Sequence, residues 1–332
     1  MKLTNDQIVE LNDLIKQGYI RTAKHPIFPL TIYNYTPKAQ YELKWTEMTR
    51  MCRGLVLDDD YNIVIKCPPK FFNRGEPLAE PVDLATARIT EKLDGYYISI
   101  KVDSDYGLLI TSRGSFTTKY VDAARYFITD PVLFKMAQNY TYFCELCQNF
   151  PEDEGIIATH HDTPRLVCWA MMDSHFQEEI PDDWCPFPVA QELSLGQAKE
   201  YLTQKVEGVV AQDLTTKARI KIKTDYFIKL HALISDCTPK RVWELLKDGS
   251  DIDSIEIPDE LYPKMSAYRE HLLNEFNIMF QHYQKIYELT KKMTDKDFAL
   301  SDYNPVEKSA VFAIRKNKDV DSIIWREIKP LV

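Results

Sequence analysis

The sequence predicts an α+β fold: a larger body of antiparallel sheets flanked by helices, followed by a smaller, mainly helical C-terminal domain. Three observations carry this expectation. From about Ile27 to Tyr226 the chain runs through short β-type stretches broken by turn signals, among them "LTIYNY", "YYISIKV", "GLLITSRG" and "ARIKIKT". After Phe227 the period changes: Leu272, Phe276, Met279, Tyr283 and Ile286 recur three and four apart, the spacing of one helix face. A chain of 332 residues is also long enough for one large domain and a smaller one. The boundary is expected near residue 230, giving domains 1–230 and 231–332.

Taken in order, residues 1–20 read as an amphipathic helix, with Thr4 and Gln7 at capping-box spacing and Ile8, Leu11 and Ile15 on one face. This stretch carries acidic residues and lacks an apolar h-region, so it is not expected to be a signal peptide. No apolar run approaches the roughly eighteen residues of a membrane helix, and a cytoplasmic protein with no membrane partner is expected. Two hairpins should turn at "DDDYN" and "DSDYG". "KYVDAARYFI" and "LGQAKEYLTQK" are expected to be helices laid on the sheets. "TPKRVWELLKDG" has an N-cap threonine, Thr238, and a terminal glycine, Gly249. The seven cysteines are odd in number and irregularly spaced, which suits free thiols in a reducing compartment. Cys144 and Cys147 form a C-x-x-C, but no second pair follows, so "FCELC" reads as strand and not as a zinc site. His160 and His161 read as loop.

The net charge of −9 argues against a protein that coats nucleic acid non-specifically, and leaves open a local basic cleft. Charged residues interrupt or end the apolar strand runs at Arg53, Lys70, Lys92, Arg113, Glu145, Glu207, Lys221 and Lys223. In "ITEKLDGYYISI" the Lys92 head either snorkels to water or acts as a nucleophile with a lowered pKa. Its company favours the second reading. Several cations suit a polyphosphate, and packed around Lys92 they would disfavour its charged form. A neutral amine beside a polyphosphate is a nucleophile aimed at phosphorus. Glu207 is the natural carboxylate to organise a magnesium or manganese ion there, through water.

Read together, "EKLDG", "SRGS", "FCEL", "VEGVV" and "KIKTDYFIKLH" resemble the motifs of covalent nucleotidyltransferases. With "CRGLVLD" and "KFFN" they resemble more closely the bacteriophage T4 RNA ligase 1 family, in order from about Tyr33 to His231. The resemblance implies a nucleotidyltransferase (adenylation) domain, ATP and a divalent metal as cofactors, and residue roles. Lys92 would be the adenylated nucleophile, oriented by Asp94, with Gly95 allowing close backbone approach. Glu145 would contact the ribose hydroxyl, and Glu207 would serve the metal and adenylyl transfer. Lys221 and Lys223 would touch the α-phosphate and help lower the pKa of Lys92. Arg53, Lys70 and Phe72 would grip the triphosphate tail, and Arg113 would lie near the ribose and the RNA end. Tyr35 would fall near the phosphates. Trp169 would pack near the adenine or in the core.

An ATP-dependent DNA ligase or a GTP-dependent capping enzyme would use the same cleft, but both usually continue into a small five-stranded barrel. The helical stripe here favours the RNA ligase family. A catalytically dead nucleotide- or RNA-binding module is a further reading, and the intact lysine and carboxylates argue against it. From His231 on, 15 Lys+Arg stand against 18 Asp+Glu, a poor non-specific grip on RNA. The expectation is a monomeric ATP-dependent RNA ligase joining 5′-phosphate and 3′-hydroxyl RNA ends, in RNA repair, with a polynucleotide kinase-phosphatase acting upstream and an RNA-specificity role for the helical domain.

Overall fold

The structure is a computed structural model that describes residues 1–150, 159, 161–254 and 262–330. The chain divides into two compact units, Met1–Ile228 and Lys229–Val332. The first holds the strands β1 (Ile20–Lys24), β2 (Leu30–Tyr35), β3 (Arg53–Asp58), β4 (Ile63–Ile65), β5 (Phe72–Asn73), β6 (Arg88–Lys92), β7 (Tyr96–Asp103), β8 (Gly107–Ser112), β9 (Thr141–Cys147), β10 (Arg165–Met172), β11 (Glu178–Glu179), β12 (Glu192–Leu193), β13 (Gly208–Gln212) and β14 (Arg219–Lys223).

These strands build three sheets, in the orders β1-β2-β3-β4, β11-β10-β9-β7-β8 and β12-β6-β13-β14-β5. The pairing is antiparallel throughout except for β5, which lies parallel to β14 with Phe72 opposite Ile220. The antiparallel sheets are those expected, and this short parallel pair is an addition at one edge. It arises because "KFFN" reaches the sheet edge along a connection and not through a tight turn.

Local chemistry explains the connections. The β3–β4 hairpin turns on Asp58, whose Oδ1 accepts from the backbone N–H of Asp60 and Asn62. The β7–β8 hairpin repeats the device with Asp103, which accepts from Asp105 and Tyr106. Thr4 caps the helix Asn5–Lys16 in a full capping box with Gln7, and Leu11 and Leu14 are its buried residues. Helices at Lys119–Arg125 and Leu195–Tyr201 start on Thr118 and Ser194 caps. Cys144 and Cys147 lie within β9, both buried, as a strand requires.

The main cores of this unit follow its sheets. Ile98, Ile100, Tyr142 and Leu146 pack on one face of the second sheet, and Phe143, Tyr97 and Ala170 on the other. The second unit is helical, built on the long helix Tyr262–Thr290 and on Pro239–Lys247, Pro305–Arg315 and Asp321–Glu327. Leu272, Tyr283 and Ile286 are buried, with Phe276 and Met279 packed beside them, so the predicted stripe is core. No helix among the described residues is long and apolar enough to cross a membrane.

Candidate active site

The register of three strands sets the site. In the third sheet Gly208 pairs with both Lys92 and Lys223, Val210 with Thr90 and Lys221, and Gln212 with Arg88 and Arg219. Alternation puts these residues on one sheet face, in three rows: Lys92–Gly208–Lys223, Thr90–Val210–Lys221 and Arg88–Gln212–Arg219. Glu145 of β9 and Trp169 of β10, from the second sheet, and Arg53 of β3, from the first, close a cavity of about 100 Å³ against the inner two rows and Lys92.

At the first row, Lys92 Nζ lies 2.6 Å from Glu207 Oε2, and Lys223 Nζ lies 3.1 Å from Glu207 Oε1. Glu207 is only 5% exposed, so one buried carboxylate serves two ammonium groups. This corrects one expectation. The cation crowd exists, but the charge nearest Lys92 is a carboxylate, and the lysine that the crowd surrounds is Lys221. Burial first, then Lys70, Lys92, Arg53 and Lys223, hold Lys221 well below the ordinary lysine value. The cause is registry: Gly208 has no side chain, so Glu207 reaches Lys92 and Lys223 across it, while Lys221 in the next row has Val210 as its neighbour.

Glu145 is pushed up to about 7, chiefly by burial, and Glu207 and Asp94 add to this against Lys92 and Arg53. A carboxyl poised there can donate to or accept from a hydroxyl at neutral pH. Gly95 makes room for it: a Cβ on residue 95 would lie 2.7 Å from Glu145 Cγ and from the Leu146 carbonyl oxygen. Asp94 Oδ2 accepts from the backbone N–H of Thr159 at 2.8 Å, and its carbonyl accepts from His161 Nε2 at 2.6 Å. His161 lies in a loop, as expected, and from there holds the turn that carries the lysine motif. His160 lies outside the described residues.

A second cluster adjoins the cavity. Lys70 Nζ lies 5.6, 5.4 and 5.6 Å from the ring centres of Tyr35, Trp45 and Phe72. Arg113 donates to the Tyr35 hydroxyl at 3.3 Å. Arg53 lies 5.1 Å from the Tyr97 ring and 5.9 Å from those of Phe71 and Trp169. Burial, then Arg53 and Arg113, keep Lys70 below its ordinary value against Tyr35 and Glu76. Burial pushes the Tyr35 phenol up, yet Arg113, Lys70 and Arg53 outweigh it and leave the phenol lowered. Three cations held on aromatic faces, with no carboxylate hydrogen-bonded to them among the described residues, form a receptor for an anion.

Residues 51–184 match the family model of RNA ligases of the T4 RNA ligase 1 type. That stretch holds Arg53, Lys92, Glu145 and Trp169, so this part of the chain resembles RNA ligases of the T4 RNA ligase 1 family. A search of curated proteins finds no match. Among solved structures, the chain is similar to an archaeal ATP-dependent RNA ligase at 10% identity, with a TM-score of 0.51 over 94% of this chain and 96% of that one. At that identity the likeness speaks for the fold. A putative ATP-dependent DNA ligase from Aquifex aeolicus matches at 17% identity and a TM-score of 0.46, over 86% of this chain and 80% of that one. A Naegleria gruberi RNA ligase mutant with ATP and Mn matches at 16% identity and a TM-score of 0.33, over 70% and 84%.

Among the described residues no group of three His, Cys, Asp or Glu side chains is placed to hold an ion. Glu207 is a hard oxygen donor, and a divalent cation held by it would have to take its other ligands from phosphate oxygens and water. Bound there, such an ion would neutralise phosphate charge.

Several residues of this site escaped the sequence reading. Trp45 packs edge-on against Tyr35 and Phe72, at 5.0 and 5.7 Å. Phe71 carries Lys221 at 4.8 Å from its ring. Arg219 shares the period of Lys221 and Lys223, a signal that could have found it. Gln212 likewise shares the parity of Val210. Glu178, which joins Arg219 and Gln212, sits in "FQEEIP" with no local signal.

Proposed function

We propose that this chain is an RNA ligase that consumes ATP to join RNA ends bearing a 5′-phosphate and a 3′-hydroxyl, in RNA repair, through a covalent lysine–AMP intermediate. The observation that carries the reading is the first row: an amine at a strand end, 2.6 Å from a buried carboxylate, beside Lys221 and the cations Lys70, Arg53 and Lys223. Lys92 Nζ attacks the α-phosphorus, the bond to the β-phosphate breaks and pyrophosphate leaves. The proton released by the amine has Glu207 within reach.

Lys221 and Lys223 flank the transferred phosphate, and Arg53, Lys70 and Arg113, ordered by Tyr35, Trp45 and Phe72, hold the departing tail. Glu145 positions the ribose hydroxyl. The AMP then passes to the 5′-phosphate of an RNA, and a 3′-hydroxyl displaces AMP to form the phosphodiester. Phosphoryl transfer of this kind depends on placement and electrostatics, which the row arrangement supplies.

The test is incubation with ATP or GTP labelled at the α-phosphate, with magnesium, followed by denaturation. The expected result is a label from ATP that survives denaturation and is absent in Lys92→Ala. The same variant is expected to seal RNA supplied already adenylylated, because the last step does not use the amine as nucleophile. A label in Lys92→Ala would sink the assignment. A label from GTP alone would favour capping chemistry.

A further inference from the structure

The first sheet carries a polar row that the chemistry above uses only at its inner end. Its register sets Asn34 of β2 opposite Arg21 of β1 on one side and Arg53 of β3 on the other. Residues directly opposite one another share a sheet face, so Arg21, Asn34 and Arg53 form a line about 10 Å long, two strand spacings. Arg53 lines the cavity and Arg21 is exposed, so the line leads from the site to the surface. The loop after β8 crosses it at Gly114. A Cβ on that residue would lie 3.1 Å from Arg21 Nη2 and 3.4 Å from Asn34 Nδ2. Its neighbour Arg113 is also exposed and donates to the Tyr35 hydroxyl at 3.3 Å.

Asn34 is 1% exposed, yet neither its Nδ2 nor its Oδ1 finds a partner. A buried amide left in that state is costly, and folds rarely keep one without a ligand or water to complete it. Among the described residues no carboxylate pairs with Arg21 or Arg113. Two open guanidinium groups and an amide donor around one glycine are matched by a phosphate, whose oxygens only accept. The direction of attack decides which phosphate. Lys92 displaces pyrophosphate in line, so the group that later displaces Lys92 must come from the side where pyrophosphate left. The RNA 5′-phosphate therefore enters the receptor of Arg53, Lys70 and Arg113, and the rest of the strand leaves past Arg113. The next phosphate along it arrives at Gly114.

We propose that Arg21, with Asn34 beneath Gly114 and Arg113 beside it, binds the first phosphodiester that follows the 5′-phosphate of the RNA strand being activated. The inference rests on the lysine–nucleotide reading above and adds to it the residues that hold the RNA while AMP is transferred.

The test isolates the AMP adduct of the full chain and measures the second-order rate constant for AMP transfer to a 5′-phosphorylated RNA. The RNA is either natural or carries one neutral methylphosphonate, at its first or its third linkage. Wild type is expected to lose about tenfold with the first linkage neutral and about twofold or less with the third. Arg21→Ala should transfer AMP to natural RNA about tenfold more slowly. It should show no further loss when the first linkage is neutral, because two changes at one contact do not add. Its log–log salt slope for RNA use should flatten by about 0.7. Its labelling by ATP should stay within about threefold, with the KM for ATP unmoved. Asn34→Leu should lower RNA use by about threefold or more and raise the urea midpoint, because it removes an amide that burial penalises. A first-linkage penalty undiminished in Arg21→Ala would overturn the inference while the lysine–nucleotide chemistry stood. So would a raised KM for ATP in that variant, which would give Arg21 to the triphosphate tail. A wild type that forms no adduct with any nucleotide would overturn that chemistry and this inference with it.

Discussion

Glu145 shows how a single burial site sets a pH dependence. Its carboxyl releases its proton at about 7 in the folded chain, against an ordinary value of 4.5. The native state thus binds more protons than the unfolded state between those two values. Its contribution to stability is full below about pH 4.5 and is lost as pH rises through about 7, a change of about 3 kcal/mol. Glu145→Gln should remove this slope, so the difference in urea midpoint between pH 5 and pH 8 should narrow. An unchanged difference would mean that other groups set it. As charges ending apolar strand runs, Lys92, Glu145, Glu207, Lys221 and Lys223 were legible in the sequence. Their pairing was not: that Glu207 serves Lys92 and Lys223 together, while Lys221 is left among cations, follows only from the register of β6, β13 and β14.

Among the elements, the β13–β14 pair fixes the distance between Glu207 and Lys223, and Gly208 makes the pair possible. Its φ is +150°, and a Cβ there would lie 2.1 Å from the Ile222 carbonyl oxygen, an impossible approach. Gly208→Ala is expected to push the strands apart, cost about 3 kcal/mol in denaturant melts, and lower ATP labelling of Lys92 by about 100-fold at full folding. Labelling at the wild-type rate in the folded variant would show that the spacing does not matter. The strands themselves were readable from period and turn chemistry, down to the aspartates that close both hairpins. Partners from other sheets were not: Trp45 and Glu178 come to the site across sequence distances that no local pattern encodes.

Over the whole molecule, the change of period near residue 230 was legible because helix stripes and strand alternation differ over long windows. The helical unit has cores of its own, one of them built on Phe298, Val311, Ile324 and Tyr283, all within that unit. Phe298→Ala, at a fully buried position, should cost that unit about 3–5 kcal/mol and leave ATP labelling of Lys92 within about threefold. Calorimetry alongside the labelling assay checks both, and a collapse of labelling at a temperature where Met1–Ile228 stays folded would refute it. Within the first unit, Glu178 belongs to the second sheet, while its partners Arg219 and Gln212 belong to the third. That bridge rivets the two sheets at the deep end of their seam. At the opposite end β6 runs into β7 through only Leu93, Asp94 and Gly95, and Leu93 packs on Cys147 and Val167, so the seam is stitched at its mouth as well as at its bottom.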